Sequence, residues 1–388
     1  MLIFLFQRLP SELVFNGMKR TITSTNKADS LSVAYLKAVP LALLVVGLWA
    51  EDIVLSPLVS VLVRLTFTTQ EFLRLNCTLL PGVDNVLEFT IVLANGTLTT
   101  TNAYQHPDLF WALRGGGGGT YGIVLSATYQ THPKFPLAIP TIQVNFTSPA
   151  IAQSVVTELF RLHTNLSDAG WGAYTFVYPE FMAAIFIAPN ITVDDANKMV
   201  EPLVSFARNA TGGAVLYITP AYGSFIEWWK ATYQGVPGQV GGNFEIASRL
   251  LPRELAKERP EEVARIALSL KLGVAAKYVY FWFSPPLNTN PDSFFLFQSS
   301  VAGGAVSRVD PESTGLNPSW RKAIAEVSIS ESWEEGADSA TILAARERLK
   351  QGTDVLDKLT KDSGSYLNEV RNIRYLKRII QILSFVNP

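Results

Sequence analysis

Five consecutive glycines, Gly115–Gly119, are the residues of this sequence whose type and spacing most directly suggest binding chemistry. Glycine adopts positive φ readily and lets the backbone approach another group closely, although a glycine run loses much conformational entropy on folding. Such a run indicates either a flexible or structural loop or a cradle for a ligand. The sequence contains no Ser-His-Asp order, paired acidic motif or metal-ligand spacing, so neither a hydrolase nor a metal site is expected.

The residues around these glycines predict the elements that position them. Pro107 suits the first position of a helix, where its missing N–H costs nothing, and Asp108 complements the helix dipole. From Tyr121 onward, apolar and polar residues alternate with period two, which predicts a strand. The glycines therefore connect a helix to a strand. Dinucleotide-binding and P-loop motifs have the opposite order, from strand to helix, so the sequence argues against both.

The segment from His106 to Pro133, HPDLFWALRGGGGGTYGIVLSATYQTHP, resembles the end of the flavin-binding domain of the berberine-bridge-enzyme-like oxidoreductases. These are FAD-linked oxidases of the vanillyl-alcohol oxidase type, with a PCMH-type FAD-binding domain. In that family the glycine loop and the following strand lie against FAD. The resemblance implies that FAD is the cofactor and that its contacts are Gly115, Gly116, Gly117, Gly118, Gly119, Thr120, Gly122 and Ile123.

A second matching stretch, SGSYLNE at Ser363–Glu369, resembles the loop that returns the family's chain to its flavin domain. The resemblance implies that Tyr366 is the catalytic residue near the isoalloxazine ring and that Asn368 contacts FAD. A tyrosine acts as a base near neutral pH only if neighbouring charges or hydrogen bonds lower its pKa. The alternative interpretation is that Tyr366 is a turn residue packed on a helix end.

The chain departs from the family at both ends. Relatives have a first FAD subdomain before the position of Val83, with an Arg-x-Gly-Gly-His loop and a histidine bound covalently to the flavin. No such motif occurs in residues 1–82, and His106, His132 and His163 are the only histidines. We therefore expect the N-terminal FAD subdomain to be missing and FAD, if bound, to lack a histidyl attachment. The sequence after Glu369 also diverges.

These patterns predict an α+β fold with two parts. Residues 83–135, which include an Asn95-Gly96 hairpin turn, are expected to form a partial PCMH-type FAD-binding domain. Residues 136–362 are expected to form a substrate domain whose antiparallel sheet is covered by helices. Residues 1–82 are predicted to be a divergent N-terminal segment, and residues 363–388 a divergent return to the FAD domain.

Aromatic and charged clusters in the substrate domain have more than one interpretation. The cluster around Trp228 and the alternating aromatics of residues 278–283 suit either core packing or a ligand cleft. The charged residues within residues 248–254 and 303–323 are expected to be surface or hinge features.

Composition excludes some partners and suggests a compartment. The 388 residues have a formal net charge of −1 and no dense basic run, so no nucleic-acid partner is expected. Cys77 is alone, which excludes an intrachain disulfide framework.

The apolar run 38–50 is interpreted as a signal sequence or membrane anchor, or as a buried element. N-glycosylation motifs favour the secretory pathway and secretion; they lie at Asn76, Asn95, Asn145, Asn165, Asn190 and Asn209.

Three functions remain open from the sequence. The first is an FAD-dependent oxidoreductase that oxidises a small organic substrate, such as an alcohol, a sugar or an alkaloid-like compound, by hydride transfer to the flavin, with O₂ as the electron acceptor. The second is a non-catalytic truncated homologue. The third is a secreted glycoprotein that binds small molecules. Whether the chain is an active enzyme is therefore not decided by the sequence.

Overall fold

Two antiparallel sheets organise the part of the chain that the computed structural model describes, namely residues 36–37, 82–116, 120–233, 243–270, 296–299 and 305–366. The sheets carry helices, and the predicted α+β class is confirmed. Several sequence-based expectations lie outside the described residues: Asn76, Gly117, Gly118, Gly119, Asn368, the apolar run 38–50 and the aromatic residues 278–283.

The smaller sheet has four strands in the order β1-β4-β2-β3. Their bounds are Leu36–Lys37 (β1), Val86–Val92 (β2), Leu98–Asn102 (β3) and Ile123–Tyr129 (β4). Strands β2 and β3 pair antiparallel across the turn at Asn95, which confirms the predicted hairpin. Helix α1, Pro107–Leu113, packs on this sheet through Phe110, whose ring centroid lies 6.1 Å from that of Phe89.

The larger sheet has nine strands, and all of its pairings among described residues are antiparallel. The strands are Leu137–Ala138 (β5), Thr141–Asn145 (β6), Gly172–Val177 (β7), Phe181–Pro189 (β8), Val215–Ile218 (β9), Ala221–Tyr222 (β10), Phe244–Pro252 (β11), Leu296–Ser299 (β12) and Ala323–Ser332 (β13). The main order is β10-β5-β8-β7-β12-β13-β11, and β6 pairs with both β8 and β9.

The remaining helices are Pro149–Asp168 (α2), Val193–Thr211 (α3), Phe225–Tyr233 (α4), Arg253–Glu258 (α5), Pro260–Ser269 (α6), Ser319–Lys322 (α7) and Ser339–Leu359 (α8). The three longest begin at side-chain caps, because Ser148, Thr192 and Asp338 each accept a hydrogen bond from a backbone N–H of the first turn. No helix in the described ranges is long and apolar enough to cross a membrane.

Helices α2, α3, α6 and α8 cover one face of the larger sheet, as the sequence predicts. Alternate strand residues such as Ile142, Phe186 and Val327 point into this layer and are almost fully buried. The opposite face carries Tyr174 and Phe176, which pack with Trp228 of α4. Since Trp228 is only 2% exposed, core packing is the observed role of this aromatic residue.

The buried histidine of α2 makes the stability of this layer sensitive to acid. Burial lowers the pKa of His163 from 6.5 to about 4. The unfolded chain therefore binds a proton below pH 6.5 while the folded chain does not, and stability falls between pH 6.5 and about 4. We expect this group alone to account for about 3 kcal/mol over that interval.

Urea unfolding of the wild-type chain and of His163→Gln, repeated from pH 7 to pH 4, measures this contribution. The variant is expected to lose stability less steeply with acidification than the wild type. Parallel pH profiles for the two proteins would contradict the prediction.

Candidate functional site

The start of the glycine loop is packed tightly against the protein itself. The backbone N–H of Gly116 donates to the carbonyl of Ala112 at 3.0 Å, which ends helix α1. Gly115 has φ +116°, and a Cβ there would lie 2.4 Å from backbone atoms of Leu316. A Cβ on Gly116 would lie 2.3 Å from the Ala112 oxygen. Both positions therefore require glycine because another part of the backbone occupies the space of the side chain.

The end of the loop is held in a similar way. The hydroxyl of Thr120 donates to the carbonyl of Gly116 at 3.5 Å, which joins the two described ends of the loop. Gly122 has φ +150°, and a Cβ there would lie 2.3 Å from the carbonyl oxygen of Val92 in the adjacent strand. Ile123 follows as the first residue of β4. At Gly115, Gly116 and Gly122, the missing side chain thus serves contact within the chain. Thr120, in contrast, is exposed.

Helix α1 is fastened to a distant stretch, residues 312–321, which we call the docking segment. The indole Nε1–H of Trp111 donates to the carbonyl of Glu312 at 2.7 Å, and the guanidinium of Arg114 donates to the carbonyl of Ser313 at 2.8 Å. The N–H of Gly315 donates back to the carbonyl of Trp111 at 2.9 Å. These contacts fix where the glycine loop begins.

A buried ion pair strengthens the same contact. Both guanidinium NH₂ groups of Arg321 donate to the carboxylate of Asp84, at 2.6 and 2.8 Å, and the two side chains are 2% and 5% exposed. Arg114 is close by: burial lowers its pKa, Asp84 raises it and Arg321 lowers it. The expectation that the charged residues of 303–323 are surface or hinge features is therefore wrong for Arg321. Arg321 is buried because its guanidinium pairs with the buried carboxylate of Asp84, which lies just before the first strand of the hairpin.

In the second charged stretch, residues 248–254, Glu254 is exposed as expected, but Arg249 is not. The guanidinium of Arg249 lies 3.1 Å from the carboxylate of Asp357 and donates to the hydroxyl of Thr360 at 2.9 Å. Its side chain is only 15% exposed. Arg249 therefore joins strand β11 to the end of helix α8 instead of forming a surface or hinge feature.

Tyr366 lies beside the docking segment. Its backbone N–H donates to the hydroxyl of Ser248 at 3.2 Å, and its ring meets the Trp320 ring edge-on, with centroids 6.2 Å apart. The carbonyl of Gly364 accepts a hydrogen bond of 2.8 Å from the N–H of Leu250, so this stretch runs along β11. The structure thus places Tyr366 and Gly115 against the same docking segment, although they are far apart in the sequence.

The sheet face turned away from the covering helices carries a polar row that the sequence analysis did not single out. Ser248 of β11 is directly opposite Ser328 of β13, and Glu326 and Ser330 flank Ser328 on the same face. These side chains are between 1% and 7% exposed. The alternation in AIAEVSISES was a usable signal, because period two places the polar residues of a strand on one face.

The docking residues, in contrast, had no local signal. Asp84 and Arg321 are separated by 237 positions, and Trp111 and Glu312 by 201. None of these four residues lies in a sequence motif that indicates which distant residue it contacts. Only the folded chain shows that the segment before the hairpin and the segment before β13 meet.

Comparison with known proteins identifies relatives of this chain. No family model matches the chain. The chain is 32% identical over 298 residues to an uncharacterized FAD-linked oxidoreductase of Arthroderma benhamiae, a match that covers 74% of this chain and 48% of that protein. It is 29% identical over 293 residues to the FAD-linked oxidoreductase patO of Aspergillus clavatus, covering 74% of this chain and 47% of that protein. The chain thus spans about half the length of these relatives.

Solved structures show the same fold. The VAO-type flavoprotein MtVAO615 of Myceliophthora thermophila aligns over 77% of this chain and 52% of its own, with a TM-score of 0.64 and 21% identity. A carbohydrate oxidase of Microdochium nivale, solved with a substrate analogue, aligns over 76% of this chain and 60% of its own, with a TM-score of 0.57 and 17% identity. At these identities the likeness concerns the fold alone.

Proposed function

Because the chain belongs to the berberine-bridge-enzyme-like, vanillyl-alcohol-oxidase-type FAD-linked oxidoreductases, we propose that it is an FAD-dependent oxidoreductase acting on a small organic substrate. The observation that carries this proposal is the shared docking segment. Its contacts hold the start of the glycine loop, at Gly115, and the predicted catalytic residue, Tyr366, against one short stretch of the chain. A cofactor-binding loop and a proton acceptor must be held in fixed relative positions for such a reaction.

The chain's own residues divide into two groups in this proposal. Gly115, Gly116 and Gly122 shape the loop by allowing close backbone contact, while the exposed Thr120 and the neighbouring Ile123 are available to contact FAD. We retain Gly117, Gly118, Gly119 and Asn368 as proposed contacts from the family resemblance. FAD would supply the hydride acceptor, with O₂ as the electron acceptor for its reoxidation. No histidyl attachment is proposed.

Tyr366 is proposed to accept a proton from the substrate through its phenolic oxygen. Its backbone is fixed by Ser248 and its ring by Trp320, so the side chain starts from a supported position. The substrate classes we propose are those implied by the family: an alcohol, a sugar or an alkaloid-like compound. A carbohydrate oxidase among the proteins with this fold is in keeping with a sugar.

We further propose that the chain enters the secretory pathway and carries N-glycans. Every N-glycosylation motif in the described ranges has an exposed asparagine, which supports this proposal. These asparagines are Asn95, Asn145, Asn165, Asn190 and Asn209. Glycosylation and secretion would also suit the third function left open by the sequence, a secreted glycoprotein that binds small molecules.

Spectroscopy and kinetics of the purified full-length chain test the proposal. We expect visible flavin absorption that is lost from the protein on acid denaturation, and thermal stabilisation on adding FAD. Tyr366→Phe is expected to lower kcat by about 100-fold or more, because it removes the group that accepts the proton. Its flavin spectrum should match that of the wild type.

Tyr104→Phe is the matched control, because Tyr104 is 97% exposed and should leave kcat unchanged. A colourless chain that FAD does not stabilise would support the non-catalytic alternative instead. Flavin that stays on the denatured chain would contradict the expectation that FAD lacks a histidyl attachment. Equal kcat for Tyr366→Phe and the wild type would remove Tyr366 from the mechanism.

A further inference from the structure

The stretch that carries Tyr366 is held between strand β11 and the docking segment. On one side, the N–H of Leu250 donates to the carbonyl of Gly364 at 2.8 Å, and the hydroxyl of Ser363 donates to the carbonyl of Leu250 at 2.7 Å. On the other side, a Cβ on Gly364 would lie 2.7 Å from the side-chain nitrogen of Asn317. The docking segment therefore forms one wall of the position that Tyr366 occupies.

Trp320 is the residue of the docking segment that meets the Tyr366 ring. The two ring planes are 80° apart, so the edge of one ring faces the other, and the centroids are 6.2 Å apart. Aromatic pairs prefer this arrangement to a face-to-face one, because ring edges are positive and ring faces negative. The indole also packs on the buried cluster of Leu250, Val306 and Ala323. A rotation of Trp320 would therefore move the surface against which Tyr366 packs.

Helix α7, which carries Trp320, is too short to hold its own orientation. It has four residues, Ser319–Lys322, and a helix of this length is unstable by itself, because few hydrogen bonds compensate for ordering its backbone. Contacts outside the helix must therefore fix it. One such contact is the buried pair of Arg321 with Asp84, whose two hydrogen bonds are 2.6 and 2.8 Å long. Two parallel bonds to a carboxylate define the rotation of the guanidinium as well as its distance.

Asp84 is anchored to the smaller sheet. It lies two residues before strand β2. The carbonyl of the next residue, Asn85, accepts the N–H of Gln130 at 2.7 Å, which continues the pairing of β2 with β4 by one further contact. A series of contacts thus runs from the smaller sheet through the docking segment to Tyr366.

We propose that Asp84 and Arg321 are positioning residues for the reaction and act on Tyr366 through Trp320. This inference rests on the proposed function, in which the Tyr366 phenol accepts a proton from the substrate. Combining Asp84→Leu with Arg321→Met would keep the contact closed but leave the rotation of α7 undefined, because apolar contact is not directional. A displacement of about 1 Å at a reacting group can lower a rate about 100-fold. The ion pair thus serves the rate of the reaction as well as the stability of the fold.

Fluorine NMR of the full-length chain labelled with 3-fluorotyrosine tests the position of Tyr366 without any cofactor. The chain has 13 tyrosines, and the resonance of Tyr366 is the one that Tyr366→Phe removes. Trp320→Leu is expected to shift this resonance, because the edge-on indole ring is lost. The double variant, Asp84→Leu with Arg321→Met, should shift or broaden it as well. Circular dichroism checks that this variant folds, as expected when neither partner is left buried without the other.

Kinetics of the same variants test the effect on the reaction. The kcat of the double variant should fall about 10-fold or more. The same two changes should cause no further fall in Tyr366→Phe, because they act through the phenol. Arg321→Lys keeps the positive charge but not the two parallel bonds, so it should shift the resonance and lower kcat by smaller amounts. Arg161→Met changes an exposed arginine and should alter neither kcat nor the resonance.

Separate outcomes bear on this inference and on the proposed function. A double variant that keeps the wild-type resonance of Tyr366 would overturn the inference, whatever its kcat. So would a double variant with wild-type kcat, or an equal fall in kcat with and without the Tyr366 phenol. A wild-type chain without turnover would contradict the proposed function, whereas the fluorine spectra would still decide whether the ion pair positions Tyr366.

Discussion

Replacing Arg321 with methionine is expected to destabilise the folded chain by about 3–5 kcal/mol, because the Asp84 carboxylate would remain buried without its cation. The two side chains are 2% and 5% exposed, so water cannot replace the lost partner. Methionine fills a similar volume and isolates the loss of charge. Urea unfolding followed by tryptophan fluorescence and circular dichroism measures the change in the free energy of unfolding.

Arg161→Met is the matched control. Arg161 also forms ion pairs, with Glu158 and Glu261, but its side chain is 48% exposed. Its loss is expected to cost about 1 kcal/mol or less, since exposed pairs are solvated. Combining Asp84→Leu with Arg321→Met should recover most of the stability, because neither partner of this pair is then left buried without the other. Equal losses for the two single arginine variants would contradict the docking role of Arg321.

Replacing Gly115 with alanine is expected to destabilise the folded chain strongly, because the added methyl group would overlap the backbone of the docking segment. The residue has φ +116°, and the added carbon would lie 2.4 Å from the Cα and N of Leu316. A backbone atom cannot move aside as the end of a flexible side chain can, so helix α1 would have to separate from the docking segment. Thermal and urea unfolding of Gly115→Ala measure the cost.

Gly336→Ala is the control that separates the cost of steric overlap from the cost of a left-handed backbone conformation. Gly336 also has positive φ, +77°, but a Cβ there would meet nothing within 4 Å. Gly336→Ala should therefore lower the free energy of unfolding by only about 1–2 kcal/mol, which is the cost of a left-handed backbone conformation for a residue with a side chain. We expect Gly115→Ala to cost at least twice as much. Comparable losses for the two variants would show that the contact with Leu316 is unimportant.

Neither the Asp84–Arg321 pair nor the contact of Gly115 with Leu316 has a local signal in the sequence, whereas the elements around them do. Helix α1 follows from Pro107 and Asp108, and the hairpin follows from alternation on both sides of Asn95. The layer of helices on one sheet face follows from two periodicities, 3.6 in the helices and 2 in the strands. These signals are local, because the residues of a helix or strand indicate by themselves which of its faces will be buried.

The sequence by itself determined the α+β class, the helix–loop–strand order around Gly115 and the kinship with FAD-linked oxidoreductases. Only the tertiary structure decided that Asp84 pairs with Arg321, that Leu316 fills the space beside Gly115, and that Tyr366 packs on Trp320. The physical reason is that periodicity records which face of an element is buried but not which distant segment covers it. That choice depends on shape and charge summed over the whole folded chain.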